Sequence, residues 1–361
     1  MRQVMPHRSN MCSRRSRGKL FLGWIAVFPT GAAILQHTFR GRKITRFNNI
    51  IRYNGLRGAG LPPRARPPNS GHDRYASDAK LFWSFGAVGM TAVDFASFVD
   101  RLAQVSGELI LPFFRSTIGA EDKSRGGVFD PVTEADRGAE AAMRRLIAQT
   151  FPAHGVIGEE YGQDRPEAEY VWVLDPIDGT KSFISGLPTW GTLIGLMHRG
   201  RPVYGMMAQP FTRERFFSDG KRTRLRCLAP SRGEAPPSEW TTRPLRTREC
   251  ASLAEATVMT TSPALIRVDA DREAYRRVEA KARLTRYGGD CYAYCALALG
   301  HVDLVVETGL KPHDVVALAP IVAGAGGMMT TWEGGDAAAG GRIIAAGDAR
   351  IYEQAKRLLT A

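Results

Sequence analysis

Residues 171–180 read V-W-V-L-D-P-I-D-G-T. The apolar run Tyr170–Leu174 predicts a short buried strand, and it ends on two carboxylates, Asp175 and Asp178, three residues apart. Pro176 fixes φ and Gly179 permits a tight backbone turn, so both carboxylates can converge on one side of the chain. Hard divalent cations such as Mg²⁺ take oxygen ligands, usually one or two carboxylates each plus waters and phosphate. The carbonyl of Ile177 could add a further oxygen. Gly179 and Thr180 then open the next segment with free backbone N–H groups, which suit a phosphate dianion. The pattern D-P-x-D-G is also a good turn sequence, so this stretch alone leaves a metal site and a plain turn open.

Other carboxylates stand at element boundaries. Glu159 and Glu160 follow a second apolar strand, Gly155–Gly158. Asp136 closes the segment D-P-V-T-E-A-D at 130–136, and Asp314 heads a helix after Glu307. The chain has no G-x-x-x-x-G-K-[ST] loop, no G-x-G-x-x-G, no G-x-S-x-G and no H-E-x-x-H.

Periodicity supplies the frame around these carboxylates. Asp94–Phe114 places Phe95, Phe98, Val99, Leu102, Leu109 and Phe113 at helical spacing. Ala135–Ile147 predicts a second helix, stopped by Phe151-Pro152. Thr192–Met197 and Pro202–Gln209 predict strands around the turn His198-Arg199-Gly200. Thr257–Thr261 and Asp303–Glu307 predict further strands, and Cys291–Leu299, Asp314–Gly324 and Ala349–Leu359 predict helices. Between them, Asp219–Arg248 is basic and rich in Pro, Gly and Ser, and is expected to form an extended loop or irregular hairpin arm between two subdomains. Strands alternating with helices argue a layered α/β or α+β fold.

Three segments in this order resemble the inositol monophosphatase family of Mg²⁺-dependent phosphatases. They are Gly158-Glu159-Glu160, Trp172–Phe183 (W-V-L-D-P-I-D-G-T-K-S-F) and Asp314–Gly327 (D-V-V-A-L-A-P-I-V-A-G-A-G-G), and the resemblance covers essentially all of 90–361. It implies an inositol-monophosphatase/fructose-bisphosphatase-like αβαβα sandwich. Lys181–Ile194, Arg286–Tyr292 and Gly309–Pro312 look closest to the histidinol-phosphate phosphatase branch, which often has an aromatic where His313 stands. The implied activity is hydrolysis of a small phosphorylated metabolite, foremost L-histidinol phosphate in histidine synthesis, with inositol 1-phosphate or a broad range of phosphomonoesters as the alternative.

The resemblance also implies the roles of the residues. Glu159, Asp175 and the Ile177 carbonyl would hold a first Mg²⁺. Asp175, Asp178 and Asp314 would hold a second, with Asp175 bridging, and a third, weaker ion would share Glu159. Asp136 and Thr180 would orient and deprotonate the attacking water. Two cations flanking an in-line displacement acidify the water and stabilise the leaving oxygen, against a barrier that is among the largest known for hydrolysis. No activated Ser, Cys or His is in view, so no phosphoenzyme is expected. Gly179 and Thr180 would meet the phosphate. Asp290 and Glu307 would meet cationic or hydrogen-bonding groups on histidinol, although Asp290 could instead cap the helix Cys291–Leu299 and Glu307 could sit in a structural ion pair. Arg286 would meet phosphate, or a carboxylate across a subunit contact. The resemblance implies a homodimer.

The chain has 361 residues, 44% hydrophobic and 24% charged, with a net charge of +13. These totals fit a globular chain and exclude collagen-like, disulfide-dense and fully disordered classes. No run of 18 apolar residues suggests a multi-span membrane protein. The charge is unevenly placed. Residues 1–89 carry 16 Lys+Arg and 2 Asp+Glu, a net of +14, whereas the other 272 residues carry 33 and 34, a net of −1. This shift predicts a boundary near Met90, with a basic leader (1–89) ahead of the phosphatase domain (90–361). Three readings of the leader stay open: a targeting segment built on Arg14, Arg15, Arg17, Lys19 and the apolar stretch Leu20–Leu35; a basic tail that binds nucleic acid or membrane; or a disordered or mis-started extension. The five cysteines form no C-x-x-C and fit a reducing, cytoplasmic compartment unless the leader directs the protein elsewhere; Cys291 and Cys295, four apart on a predicted helix, are expected to be buried core thiols.

Overall fold

The computed structural model describes residues 94–116, 134–228 and 240–361, together with the backbone of four short strands. The three readings of the leader, and residues 229–239 of the predicted arm, lie outside these described residues. Near the N-terminus, β1 (Gln36–Phe39) and β2 (Arg42–Thr45) pair antiparallel. The chain divides into two units, Met1–Asp78 and Ala79–Ala361, and the second holds the layered fold.

That fold opens with α1 (Phe95–Ile110), whose N-cap Asp94 accepts bonds from the Ala96 N–H at 3.2 Å and the Ser97 hydroxyl at 2.6 Å. The short strands β3 (Ala120–Asp122) and β4 (Pro131–Thr133) pair antiparallel and lead into α2 (Glu134–Thr150). Next come β5 (Gly155–Gly158), β6 (Gly162–Asp164), β7 (Tyr170–Asp178), the single turn α3 (Thr180–Ile184), β8 (Gly191–His198), β9 (Arg201–Gln209), β10 (Glu214–Ser218), β11 (Thr223–Leu228) and β12 (Trp240–Pro244). These eight strands form one sheet in the order β12-β11-β10-β9-β8-β7-β5-β6, with only β5 and β7 parallel.

The remaining elements are β13 (Thr257–Thr260), α4 (Asp269–Glu279), β14 (Leu284–Tyr287), α5 (Asp290–Ala298), β15 (Leu304–Leu310), α6 (Pro312–Val315), α7 (Leu318–Gly324), β16 (Met328–Thr331), β17 (Gly341–Ala346) and α8 (Ala349–Leu359). Their sheet runs β14-β13-β15-β17-β16, with β13 parallel to both β14 and β15.

Three apolar cores glue the layers in the expected αβαβα order. Phe98, Val99 and Leu102 of α1 and Met143 and Ile147 of α2 pack on Trp172, Leu174 and Ile194 of the large sheet. On its other face, Val173, Leu193 and Phe216 meet Tyr294, Leu297, Val316 and Ile321 of the middle helices, which also cover Val305 and Ala345 of the small sheet. Tyr275 and Val278 of α4 and Ile351 and Ala355 of α8 close the far side against Val258, Leu304 and Ile344. A strand buried on both faces needs an unbroken apolar run, which is what Val171–Leu174 supplies.

Several expectations change. Helix α1 stops at Ile110, and Leu109 points to solvent while Ile110 fills the core. Of the two forms expected for Asp219–Arg248, extended loop or irregular hairpin arm, the described residues take the second, an antiparallel pair β11–β12 at the edge of the large sheet. The predicted helix Asp314–Gly324 is two pieces, α6 and α7. The break has a packing cause. Gly195 and Gly205 face each other across β8 and β9, and a Cβ on Gly195 would lie 2.8 Å from a Val316 methyl, while one on Gly205 would overlap the Ala317 carbonyl. The missing side chains let the α6–α7 junction press onto the sheet, and this fixes Asp314 just upstream.

Candidate metal centre and active site

The carboxylates gather where parallel strands end. Glu159 follows the C-terminus of β5, Asp175 lies near that of β7, Thr261 follows β13, and Glu307 is on β15. Ligand crevices of α/β sheets form outside such carboxyl ends.

The decisive stretch is not a turn after a strand, as expected, but a bulged continuation of one. Asp175 pairs with Leu193 and Asp178 with Gly191, so three steps on β7 match two on β8. Side chains three apart on a regular strand point to opposite faces. One extra residue resets the alternation and brings both carboxylates to the same side. Pro176, which has no N–H to offer a ladder, sits in the bulge, and its carbonyl accepts the Thr192 hydroxyl at 2.8 Å. Asp175 accepts the Ile177 N–H at 3.1 Å, and the Thr180 hydroxyl donates to the Ile177 carbonyl at 3.2 Å. Gly179 adopts φ +83°, and a Cβ there would stand 2.9 Å from Cβ of Asp290, so both conformation and space call for glycine.

Three groups of donor atoms result, each with its atoms within 4.8 Å of one another: Asp175, Asp178 and Asp314; Glu159, Asp175 and His313; and Asp136, Glu159 and Glu160. Asp175 belongs to two of them and Glu159 to two. Asp314 is set by α6, where it accepts the Lys311 N–H at 2.7 Å. The Glu159-Glu160 corner is set by Glu140 of α2, buried beneath it, whose carboxylate accepts the Glu160 and Tyr161 N–H groups at 2.7 and 3.2 Å.

Burial and repulsion act together on this cluster. Asp175 is 2% exposed, and burial followed by the charges of Glu159, Asp178, Asp314 and Asp136 pushes its carboxyl well above the usual range. Burial and Asp314 do the same to Asp178, although Asp178 also accepts the Cys291 N–H at the start of α5, at 2.7 Å. A set dominated by carboxylates under such repulsion, with His313 adding a nitrogen donor to one group, fits divalent cations, and the residues present match that chemistry.

A cavity of about 460 Å³ opens over the cluster. Glu159, Asp175, Ile177, Asp178, Gly179, Thr180, Asp290, Glu307 and Asp314 all line it, whereas Asp136, at the first turn of α2, is buried in the group that includes Glu159 and Glu160. Asp290 does not cap α5. Gly289 holds that position, and the Asp290 carboxylate accepts the Ser182 hydroxyl at 2.5 Å. Burial pushes the Asp290 carboxyl up, opposed by that hydrogen bond and by Lys181. Glu307 accepts from the Thr261 N–H at 2.9 Å, from the Thr261 hydroxyl, and from the Tyr294 hydroxyl at 2.9 Å, so its described partners are neutral groups rather than an ion pair. Burial pushes its carboxyl up to about 7 against those bonds. Arg286 is exposed on the edge strand β14 and does not line the cavity. Cys291 and Cys295 are free, buried thiols, pushed up by burial and unsuited to nucleophilic attack.

The sequence reading passed over Thr260, Thr261, Ser262, Ile266 and Arg267, which form one wall, as well as Lys181 and Tyr294. Their signal was positional: Thr260-Thr261-Ser262 is a polar run at the carboxyl end of a predicted strand.

The model of the inositol monophosphatase family matches residues 93–360. The chain belongs to the inositol monophosphatase family. It is 44% identical over 273 residues to "Bifunctional phosphatase IMPL2, chloroplastic" of Arabidopsis thaliana, covering 72% of this chain and 73% of that one. It is 32% identical over 216 residues to a histidinol-phosphatase of Mycobacterium tuberculosis, covering 60% and 79%. Among solved structures, an inositol monophosphatase from Zymomonas mobilis superposes with a TM-score of 0.63 at 40% identity, covering 74% of this chain and 98% of that one. The protein is therefore a phosphomonoester hydrolase with the layered fold of this family, and it acts on small phosphorylated substrates. Among the described residues no helix is long and apolar enough to cross a membrane.

Proposed function

We propose that this inositol monophosphatase family member hydrolyses L-histidinol phosphate to L-histidinol and phosphate, with Mg²⁺ as its cofactor. One observation carries the substrate choice. Beyond the ligand groups, the cavity presents two more carboxylates, the buried Glu307 and the half-buried Asp290. Both are pushed up by burial, so both gain from a cationic partner, and histidinol brings an ammonium and an imidazole where inositol brings neutral hydroxyls.

In this reading Glu159, Asp175 and the Ile177 carbonyl would hold one cation, and Asp175, Asp178 and Asp314 would hold another. Bound there, divalent cations acidify a water and offset charge on the leaving oxygen. The chain's own groups do the rest. Thr180, anchored on Ile177, orients the water, and Asp136 takes its proton. The water oxygen bonds to phosphorus as the bond to the histidinol oxygen breaks in line. Gly179 and Thr180 hold the phosphate, and Asp290 and Glu307 hold the departing amine side.

A second reading, inositol 1-phosphate or a broad range of phosphomonoesters, draws on the word "bifunctional" in the Arabidopsis relative's name and on the Zymomonas structure. Comparing kcat/KM for histidinol phosphate and inositol 1-phosphate separates the two, and equal or reversed values refute the histidinol assignment. The basic leader is proposed to lie outside the phosphatase domain. Removing residues 1–89 should leave kcat/KM unchanged, and any salt-dependent binding to RNA or anionic vesicles should disappear with them.

A further inference from the structure

Four histidines have described side chains. His154 stacks between Phe151 and Tyr170 and pairs through Nδ1 with the Trp172 indole N–H at 3.1 Å. His198 stacks on Tyr170 and meets Glu169 at 3.0 Å. His301 is exposed. His313 differs from all three. It is buried, 9% exposed, and one of its ring nitrogens lies with oxygens of Glu159 and Asp175 in a group whose atoms are all within 4.8 Å of one another. Cation–ligand distances of about 2.1 Å place donors in such a shell roughly 3–4 Å apart, so modest contraction around an ion closes this group.

Pro312 and the one-turn helix α6 hold the residue there. His313 Nε2 stands 3.7 Å from an Asp314 carboxylate oxygen, so these neighbours on α6 border one another while belonging to different donor groups. Asp314 joins Asp175 and Asp178, while His313 joins Asp175 and Glu159. The nitrogen donor thus falls in the group with fewer carboxylates from this chain, and a phenyl or phenol ring at 313 would offer no nitrogen there.

We propose that His313 is a direct ligand of the cation shared by Glu159 and Asp175, giving that site a mixed nitrogen and oxygen set that favours first-row transition ions over Mg²⁺. The proposal rests on the metal-site reading above. Mg²⁺ keeps to oxygen in near-octahedral array, whereas imidazole suits the transition ions, whose affinity for nitrogen sites exceeds that of the alkaline earths. The companion site of Asp175, Asp178 and Asp314 stays all-oxygen and keeps its preference for Mg²⁺.

The test uses the full chain loaded with Mn²⁺ and examined by electron spin-echo envelope modulation. The expected result is the ¹⁴N modulation of a coordinated imidazole, lost in His313→Phe and in His313→Gln while Mn²⁺ remains bound at the companion site. Calorimetric titration should show Mn²⁺ binding at the affected site weakened by roughly 10–100-fold in His313→Phe, with Mg²⁺ binding little changed. Mn²⁺ bound without ¹⁴N modulation in the unsubstituted protein overturns the proposal and leaves the carboxylate site standing. Failure to bind Mn²⁺ or Mg²⁺ at all overturns both. The unsubstituted protein alone decides the first point, so a variant that fails to fold does not blunt the test.

Discussion

Glu307→Gln exchanges an ionisable oxygen for an amide of nearly the same shape at a position 6% exposed. In the fold its carboxyl is pushed up to about 7 from an ordinary 4.5, chiefly by burial. A folded-state value above the unfolded one means that the folded protein keeps a proton the unfolded chain has lost. Stability therefore falls as pH rises from about 4.5 to about 7, and the full cost is present above that. At 1.36 kcal/mol per pKa unit the cost is about 3 kcal/mol. Gln carries no charge and avoids it. Its carbonyl still accepts from Thr261, and the Tyr294 hydroxyl can rotate to accept from the amide. Urea unfolding of the metal-free protein should give near-equal stabilities at about pH 4, and a variant more stable by about 3 kcal/mol at about pH 8. The same substitution should raise KM for histidinol phosphate roughly 10–100-fold, the worth of a charged hydrogen bond, with little effect on inositol 1-phosphate. A stability difference that does not change with pH, or a variant less stable at the higher pH, refutes the reasoning.

Asp175 bridges two donor groups, so Asp175→Asn should lower turnover of either substrate on the order of a thousandfold, and calorimetry should show cation binding lost with it; near-normal activity would sink the metal-site reading. Asp178→Asn should stabilise the metal-free protein, because the raised carboxyl of Asp178 costs stability as pH climbs above about 4 and Asn can still accept the Cys291 N–H. That gain should grow with pH and reverse in saturating Mg²⁺, which thermal melts with and without chelator would read out. Gly179→Ala forces a side chain into φ +83° and against Asp290; a cost of about 1–3 kcal/mol and a raised KM are expected, and an unstrained variant with normal kinetics would contradict the close packing described.

What could be read in the sequence was local. The carboxylates after apolar strands, the bounds of β5 at Gly155–Gly158 and the amphipathic helix Ala349–Leu359 all follow from short-range pattern. What escaped depends on partners distant in the chain. The bulge at Pro176–Ile177 exists only relative to β8, so residues 175–178 alone look like a turn. The break between α6 and α7 is imposed by Gly195 and Gly205, more than a hundred residues earlier. β12 is an exposed edge strand without the alternation that betrays a half-buried strand, whereas β11 beside it does alternate, T-R-L-R-C-L, within a basic stretch that otherwise reads as loop. That Asp290 does not take its alternative role as a helix cap depends on Gly289 holding the cap position and on Asp178, far off in the chain, accepting the Cys291 N–H.

The two sheets divide the cavity. The large sheet brings Glu159, Asp175 and Asp178, and the small one brings Thr261 and Glu307. On the proposed function, most of the cation-holding carboxylates come from the large-sheet half, with Asp314 reaching in from α6, while the alcohol side is met from the small-sheet half. On that reading, changes within Thr260–Arg267 would redraw the wall facing the alcohol while leaving untouched the bulge that aims the carboxylates.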